Sequence, residues 1–174
     1  MIEFEFTLKF ALPNPADDPD FYVEALSRAG CDDAIIGIGQ KGRIALIFNR
    51  VELDALTAVS TAIRDVKSVL PDAKLIESTP DLVGLSDIAK LVGVTRQYLR
   101  KLEVTKSNFP QPVHTGTVAI WHLSTFLDWY EGASNKQIDA SIKQIAAANM
   151  TINIAKEWSQ LDHGIKSSLS QIAY

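Results

Sequence analysis

Cysteine is nearly absent: the 174 residues contain one, Cys31. A single thiol excludes an internal disulfide framework and cannot hold zinc alone. The three histidines, His114, His122 and His163, lack metal-ligand spacing, so neither a metal nor a cofactor is expected. No run approaches eighteen apolar residues, which argues against a membrane-spanning helix. The opening MIEFEFTLKF alternates apolar with polar residues and carries acids, whereas a signal peptide starts basic and continues as an apolar block. Together these features predict a reducing, cytoplasmic setting. No acid/base pair or nucleophile constellation stands out, so no catalytic residue and no enzymatic role is expected. Cys31-Asp32-Asp33 reads as a small buried thiol after a helix. Asp17, Asp18 and Asp20 precede a helix, where acids suit the dipole better than they suggest a cation site. Gly37, Gly39 and Gly42 fall in a hairpin with no helix immediately behind them, so they are not a phosphate loop.

Positive charge is also scarce overall. The net charge is −4, with 22% charged and 47% hydrophobic residues, a composition that suits one or two globular domains with real cores. The balance is uneven, however. Residues 1–80 hold 13 acids and 8 bases, whereas residues 81–130 hold 4 acids and 5 bases. Lys90, Arg96, Arg100, Lys101 and Lys106 lie within 90–114 against one acid, Glu103. A local basic cluster bears on nucleic-acid binding more than the total charge does.

Three segments follow from the patterning. In residues 1–79, IEFEFTLKFAL alternates strictly and predicts a strand with Ile2, Phe4, Phe6, Leu8 and Phe10 on one buried face. Asp20 reads as the N-cap of a helix carrying Phe21, Tyr22, Ala25, Leu26 and Ala29 and ending at Gly30. AIIGIGQKGRIALIF predicts a hairpin with strands near 34–39 and 43–49. A helical stripe runs through 52–70, on Leu53, Leu56, Val59, Ala62, Ile63 and Val66, until Pro71 stops it. AKLIES supplies a last short strand. The order β-α-β-β-α-β favours an α+β fold with an N-terminal ferredoxin-like layer. Thr79-Pro80-Asp81 marks a boundary to a second segment, 80–131. GASNKQ then reads as a linker or turn opening a helical tail, 132–174, that packs on another domain or on a second chain and serves as a dimerisation candidate.

LSDIAKLVGVTRQYLRKL, residues 85–102, reads as two short helices pivoting on Gly93. Ala89 supplies the small residue a tight crossing needs, and Ile88, Val92, Val94, Leu99 and Leu102 point into the angle. Ser86 and Thr95 are expected N-caps. The outward face of the second helix is then Thr95, Arg96, Gln97, Arg100 and Lys101, side chains able to reach phosphates and base edges. Val113 leads to a tip at His114-Thr115-Gly116, and Val118-Ala119-Ile120-Trp121 returns, a compact wing. Ser124 is expected to cap a third helix carrying Phe126, Leu127, Trp129 and Tyr130, whose aromatics read as core. The L-S-D-I-A-x-L-x-G-V-T-R-x-x-L-R-K-L run, the F-P-x-P and the I-W-H-L-S-x-F-L-x-W close resemble the winged helix-turn-helix domains of the MerR superfamily, most similarly the AlpA-like phage regulators and excisionases. The resemblance covers about fifty residues, under a third of the chain. It differs from full MerR activators, whose winged domain is N-terminal and precedes a long coiled coil.

The resemblance implies that the second helix enters the major groove and that the wing runs beside the backbone or minor groove. Family roles would fall on Thr95, Arg96, Gln97 and Arg100 in the helix and on His114 and Thr115 in the wing. Ser86, Lys90, Lys101 and Lys106 would hold phosphates, while Arg96, Gln97 and Arg100 would read bases. Tyr98 either meets a phosphate group or is half-buried, and His114 either meets phosphate or is a solvated loop histidine. The expected function is a sequence-specific transcriptional regulator of double-stranded DNA, acting as a homodimer. The rival expectations are an antitoxin-like autorepressor whose residues 1–79 or tail bind a partner protein, and an excisionase-type DNA-bending factor.

Overall fold

The computed structural model describes residues 1–37, 39–134, 136–170 and 172. It is a mixed α+β molecule with one four-stranded antiparallel sheet, a two-stranded ribbon and, among the described residues, seven α-helices. None of those helices is long and apolar enough to cross a membrane.

The sheet follows from strict alternation. Strand β1 (Ile2–Ala11) buries Phe4, Phe6, Leu8 and Phe10. Strand β3 (Arg43–Glu52) faces it in antiparallel register, Phe6 opposite Phe48, Leu8 opposite Leu46 and Phe10 opposite Ile44, so one face becomes continuously apolar. Phe6 and Phe48 stack with centroids 5.2 Å apart. Strands β2 (Ala34–Gly37) and β4 (Lys74–Thr79) take the two edges, giving the order β2-β3-β1-β4. Ile38, within the expected strand 34–39, lies outside the described residues. Ile2, expected on the buried face, is 37% exposed at the strand's start.

The first helical segment departs from expectation. Asp18, not Asp20, caps it: Oδ1 of Asp18 accepts from the Asp20 amide at 3.1 Å. A 3-10 turn over Pro19–Tyr22 leads into α1 (Val23–Leu26), and a π turn over Ser27–Cys31 ends at the kink of Gly30, φ 102°. The winding changes pitch, so Phe21 swings into solvent while Leu26 stays buried. Asp17 accepts from the Tyr22 hydroxyl and from the Asn14 amide, which ties the loop together. Cys31 is buried, and that burial pushes its thiol up to about 11.

Helix α2 (Ala55–Val69) lies on the apolar face of the sheet through Ala55, Ala58, Val59, Ala62 and Val66. Asp54 caps it, accepting from the Thr57 amide and hydroxyl, each at 2.8 Å; these bonds hold its carboxyl below the usual range. The cap places Leu53 outside the helix and turns Leu56 outward, so both are exposed although the apolar stripe includes them.

Arg50 continues the inward parity of Ile44, Leu46 and Phe48, yet it is charged and only 7% exposed. All five of its guanidinium N–H bonds find acceptors. Nε and Nη2 donate to Asp33 at 2.8 and 3.0 Å, Nη1 to Asp65 at 2.8 Å and Thr61 at 3.2 Å, and Nη2 to the Gly30 carbonyl at 2.6 Å. One side chain thus joins β3, α2 and the turn before β2.

A second core lies beyond the sheet, built from α3 (Leu85–Val92), α4 (Arg96–Thr105) and α5 (Leu123–Ser134). Strand β5 (Leu82–Val83) pairs with β6 (Trp121–His122) at its base. Helix α5 starts at Leu123 and runs to Ser134, so Ser124 sits inside its first turn and the expected turn at 132–137 is helical through Ser134. Asn135 of that turn lies outside the described residues.

Helix α6 (Ala140–Ser159) joins the two cores. Ile145, Ala148 and Ile152 pack into the sheet core, whereas Ala146 and Ile142 pack into the second. Between these faces lie Asn149 and Asn153, one turn apart and buried. The Ser78 hydroxyl donates to Asn149 Oδ1 at 2.6 Å, and Asn149 Nδ2 donates to the Pro80 carbonyl at 3.1 Å. Asn153 accepts from the Ser78 amide at 2.9 Å and donates to the Ser78 carbonyl and to Asp81, each at 2.8 Å. Lys143 pairs with Glu131 at 2.6 Å, which fastens α6 to α5. The expected tail therefore packs within its own chain. A short helix α7 (His163–Leu169) follows, and none of its residues is buried.

Candidate nucleic-acid interface

The candidate site is built on α3 and α4. Helix α3 is capped by Gly84 rather than Ser86; the Gly84 amide donates to the Asp87 carboxylate at 3.4 Å, and Ser86 sits in the first turn with its side chain exposed. Leu85, Ile88 and Ala89 face the core. The helix ends at Gly93 in the left-handed region, φ 69° and ψ 40°, and the Val94 amide returns to the Ala89 carbonyl at 2.9 Å.

A Cβ at Gly93 would meet nothing within 4 Å, so any cost of Gly93→Ala is a backbone cost. Left-handed backbone costs an L-residue with a Cβ roughly 1–2 kcal/mol. The expected result is a lowered melting temperature for Gly93→Ala, with Gly93→Asn recovering part of it because asparagine tolerates this region. Equal melting temperatures for all three proteins would show that the turn relaxes.

Thr95 caps α4 as expected, its Oγ1 accepting from the Tyr98 amide at 3.1 Å. Among the described residues Leu99 is the one fully buried side chain of α4. With that side anchored, Arg96, Gln97, Arg100 and Lys101 stand in solvent. Tyr98 is 42% exposed beside them, and Lys106 follows the helix end, also exposed. Lys90 stands exposed in the last turn of α3. Arg100 pairs with Glu103 at 2.6 Å, within a single helix. An exposed i,i+3 pair of this kind contributes about 0–1 kcal/mol and exchanges readily for another anion.

The loop after α4 is held by aromatic packing. Phe109 meets Trp129, Phe126 and Trp121 edge-on, with centroids 4.8, 5.9 and 6.2 Å apart, and Trp121 Nε1 donates to the Pro110 carbonyl at 2.9 Å. The F-P-x-P run thus seats one ring and one carbonyl in the core. The chain then turns back on itself between Val113 and Ile120: the Val113 amide donates to Ile120 at 2.8 Å and the Ile120 amide to His114 at 3.0 Å. This turn is closed by one bridge and not by a full ladder. His114 and Thr115 are exposed at its tip.

All of the expected contact residues, Ser86, Lys90, Thr95, Arg96, Gln97, Tyr98, Arg100, Lys101, Lys106, His114 and Thr115, are therefore solvent-exposed. The structure gathers those from Thr95 to Lys101 on one helix and leaves His114 and Thr115 on a separate loop. Sequence reasoning missed a second polar constellation. Asp81, fully buried, lies 2.7 Å from His122 Nδ1 and accepts from Asn153, close to the base of the β5–β6 ribbon. The two residues are 41 positions apart, and no local pattern announces their meeting.

Comparison with family models, curated proteins and solved structures returns no match. The functional reading of this interface stands on its own chemistry.

Proposed function

We propose that residues 80–131 form a winged helix-turn-helix and that the chain is a sequence-specific DNA-binding regulator. The observation that carries this reading is α4: it buries Leu99 and presents Arg96, Gln97, Arg100 and Lys101 to solvent. In this reading α4 enters the major groove. Arg96 and Arg100 pair with guanine edges and Gln97 with adenine, and Arg100 exchanges Glu103 for its base. Lys90, Lys101, Lys106 and the Ser86 hydroxyl hold phosphates, and the loop carrying His114 and Thr115 lies beside the backbone. The strand order β2-β3-β1-β4, each helix crossing between parallel strands split by a third, supports a ferredoxin-like N-terminal layer as the scaffold. Binding as a homodimer would match two half-sites about one helical turn apart.

Selection from a random duplex pool tests the function directly. A winning sequence should bind with an affinity that falls linearly as log salt rises. Each neutralised phosphate contributes a slope of about −0.9, so the three lysines predict about −3 per protomer. Failure to retain any duplex at low salt would overturn the reading.

A further inference from the structure

A cleft of about 660 Å³ opens beside the buried Asp81. Its walls are apolar, formed by Ile76 of β4, Leu82 of β5, Ile154 and Trp158 of α6, and Leu161. Asp81, His122 and Asn153 also line it. The volume is that of a small-molecule site, and apolar walls around a few convergent polar groups are how such sites are made.

The polar floor is prearranged. Asp81 is fully buried and receives both the His122 ring at 2.7 Å and the Asn153 amide at 2.8 Å. When the ring is neutral with Nδ1 donating to the Asp81 carboxylate, the Nε2 lone pair is the ring's acceptor. Among the described residues Nε2 has no protein hydrogen bond. The other charged groups at the cleft already have partners: Glu77 pairs with Lys9 at 3.0 Å, and Lys156 pairs with Glu157 at 2.8 Å. At the buried floor of the cleft, the group that meets a ligand is an imidazole nitrogen backed by a carboxylate.

We propose that this cleft binds a small, largely apolar molecule bearing one weakly acidic O–H, a phenol or a carboxylic acid. The apolar body lies against Ile154, Trp158 and Leu161. The O–H donates to His122 Nε2. A carboxylic acid arrives already ionised; the ring then takes a proton from solvent at Nε2, and the carboxylate accepts from an imidazolium that Asp81 stabilises. The ligand touches β4, the segment leading into α3, and α6 at once, so occupancy raises the stability of the whole chain.

The test titrates the full chain with 2-naphthol, 2-naphthoate and naphthalene, read by backbone and indole amide NMR shifts. The expected result is shifts centred on Asn153 and Trp158, with 2-naphthol or 2-naphthoate binding about tenfold tighter than naphthalene. The tighter of the two heads identifies the natural acid class. His122→Asn keeps a donor to Asp81 and removes the Nε2 acceptor, so all three probes should then bind equally weakly. Ile154→Glu alters an exposed wall position and should abolish binding of every probe while the melting temperature stays within a few degrees of wild type. The proposal is overturned if the wild-type chain shows no shifts at the cleft, if naphthalene binds as tightly as the acidic probes, or if Ile154→Glu leaves binding unchanged.

Discussion

Replacing Arg50 with alanine should destabilise the chain by about 3 kcal/mol, the lower end of the range for breaking a buried ion pair by removing one partner. The lower end applies because Asp33 and Asp65 keep 30% and 28% of their side-chain surface in water and can rehydrate. The loss has three parts: two carboxylates without their cation, the Gly30 carbonyl without its donor, and a cavity above Phe48, over whose ring the guanidinium sits at 4.9 Å. For a domain of this size the change corresponds to a fall in melting temperature of roughly 6–12 °C. Arg50→Lys should recover little of it, since one ammonium cannot span Asp33, Asp65 and Gly30 together. Urea unfolding of the three proteins measures the effect. A loss under about 1 kcal/mol for the alanine variant would show that water replaces the guanidinium at little cost.

The second large effect concerns DNA. Substituting alanine at Arg96, Arg100 and Lys101 together should lower affinity for a selected duplex by at least about 30-fold, because each base-directed arginine contributes about 1–3 kcal/mol. These side chains are exposed and α4 is anchored through Leu99, so the folded state should survive with an unchanged far-ultraviolet spectrum. The single variants separate the roles. Arg100→Ala should relax one base position, whereas Lys101→Ala should weaken specific and random duplexes alike and reduce the salt slope by about 1. An unchanged affinity in the triple variant would reject α4 as the reading helix.

The parts of the fold that were legible in the sequence are those where one face meets one core. The alternation of β1 and the stripe from Val59 to Val66 in α2 point to their buried faces directly. The pivot at Gly93 and the cap at Thr95 were equally plain, because both are local backbone requirements. Residues 18–31 were misread because the winding passes from 3-10 through α to π, and no single period describes it. Arg50 did leave a signal, a charge at the inward parity of Ile44, Leu46 and Phe48, but its partners come from three separate segments. The sequence of helix α6 shows no single apolar stripe, for a physical reason. Two apolar faces flank a polar seam, so no one stripe dominates. The pairing of Asp81 with His122 depends on how β5 meets β6 and was out of reach.

The placement of α6 has a consequence for synthesis. The sheet core lacks Ile145 and Ala148, and the aromatic core lacks Ala146, until α6 has been made. Nascent protein of this kind cannot complete its front half while the back half is still being made, as many two-core chains do. Both cores are completed together, when α6 docks between them.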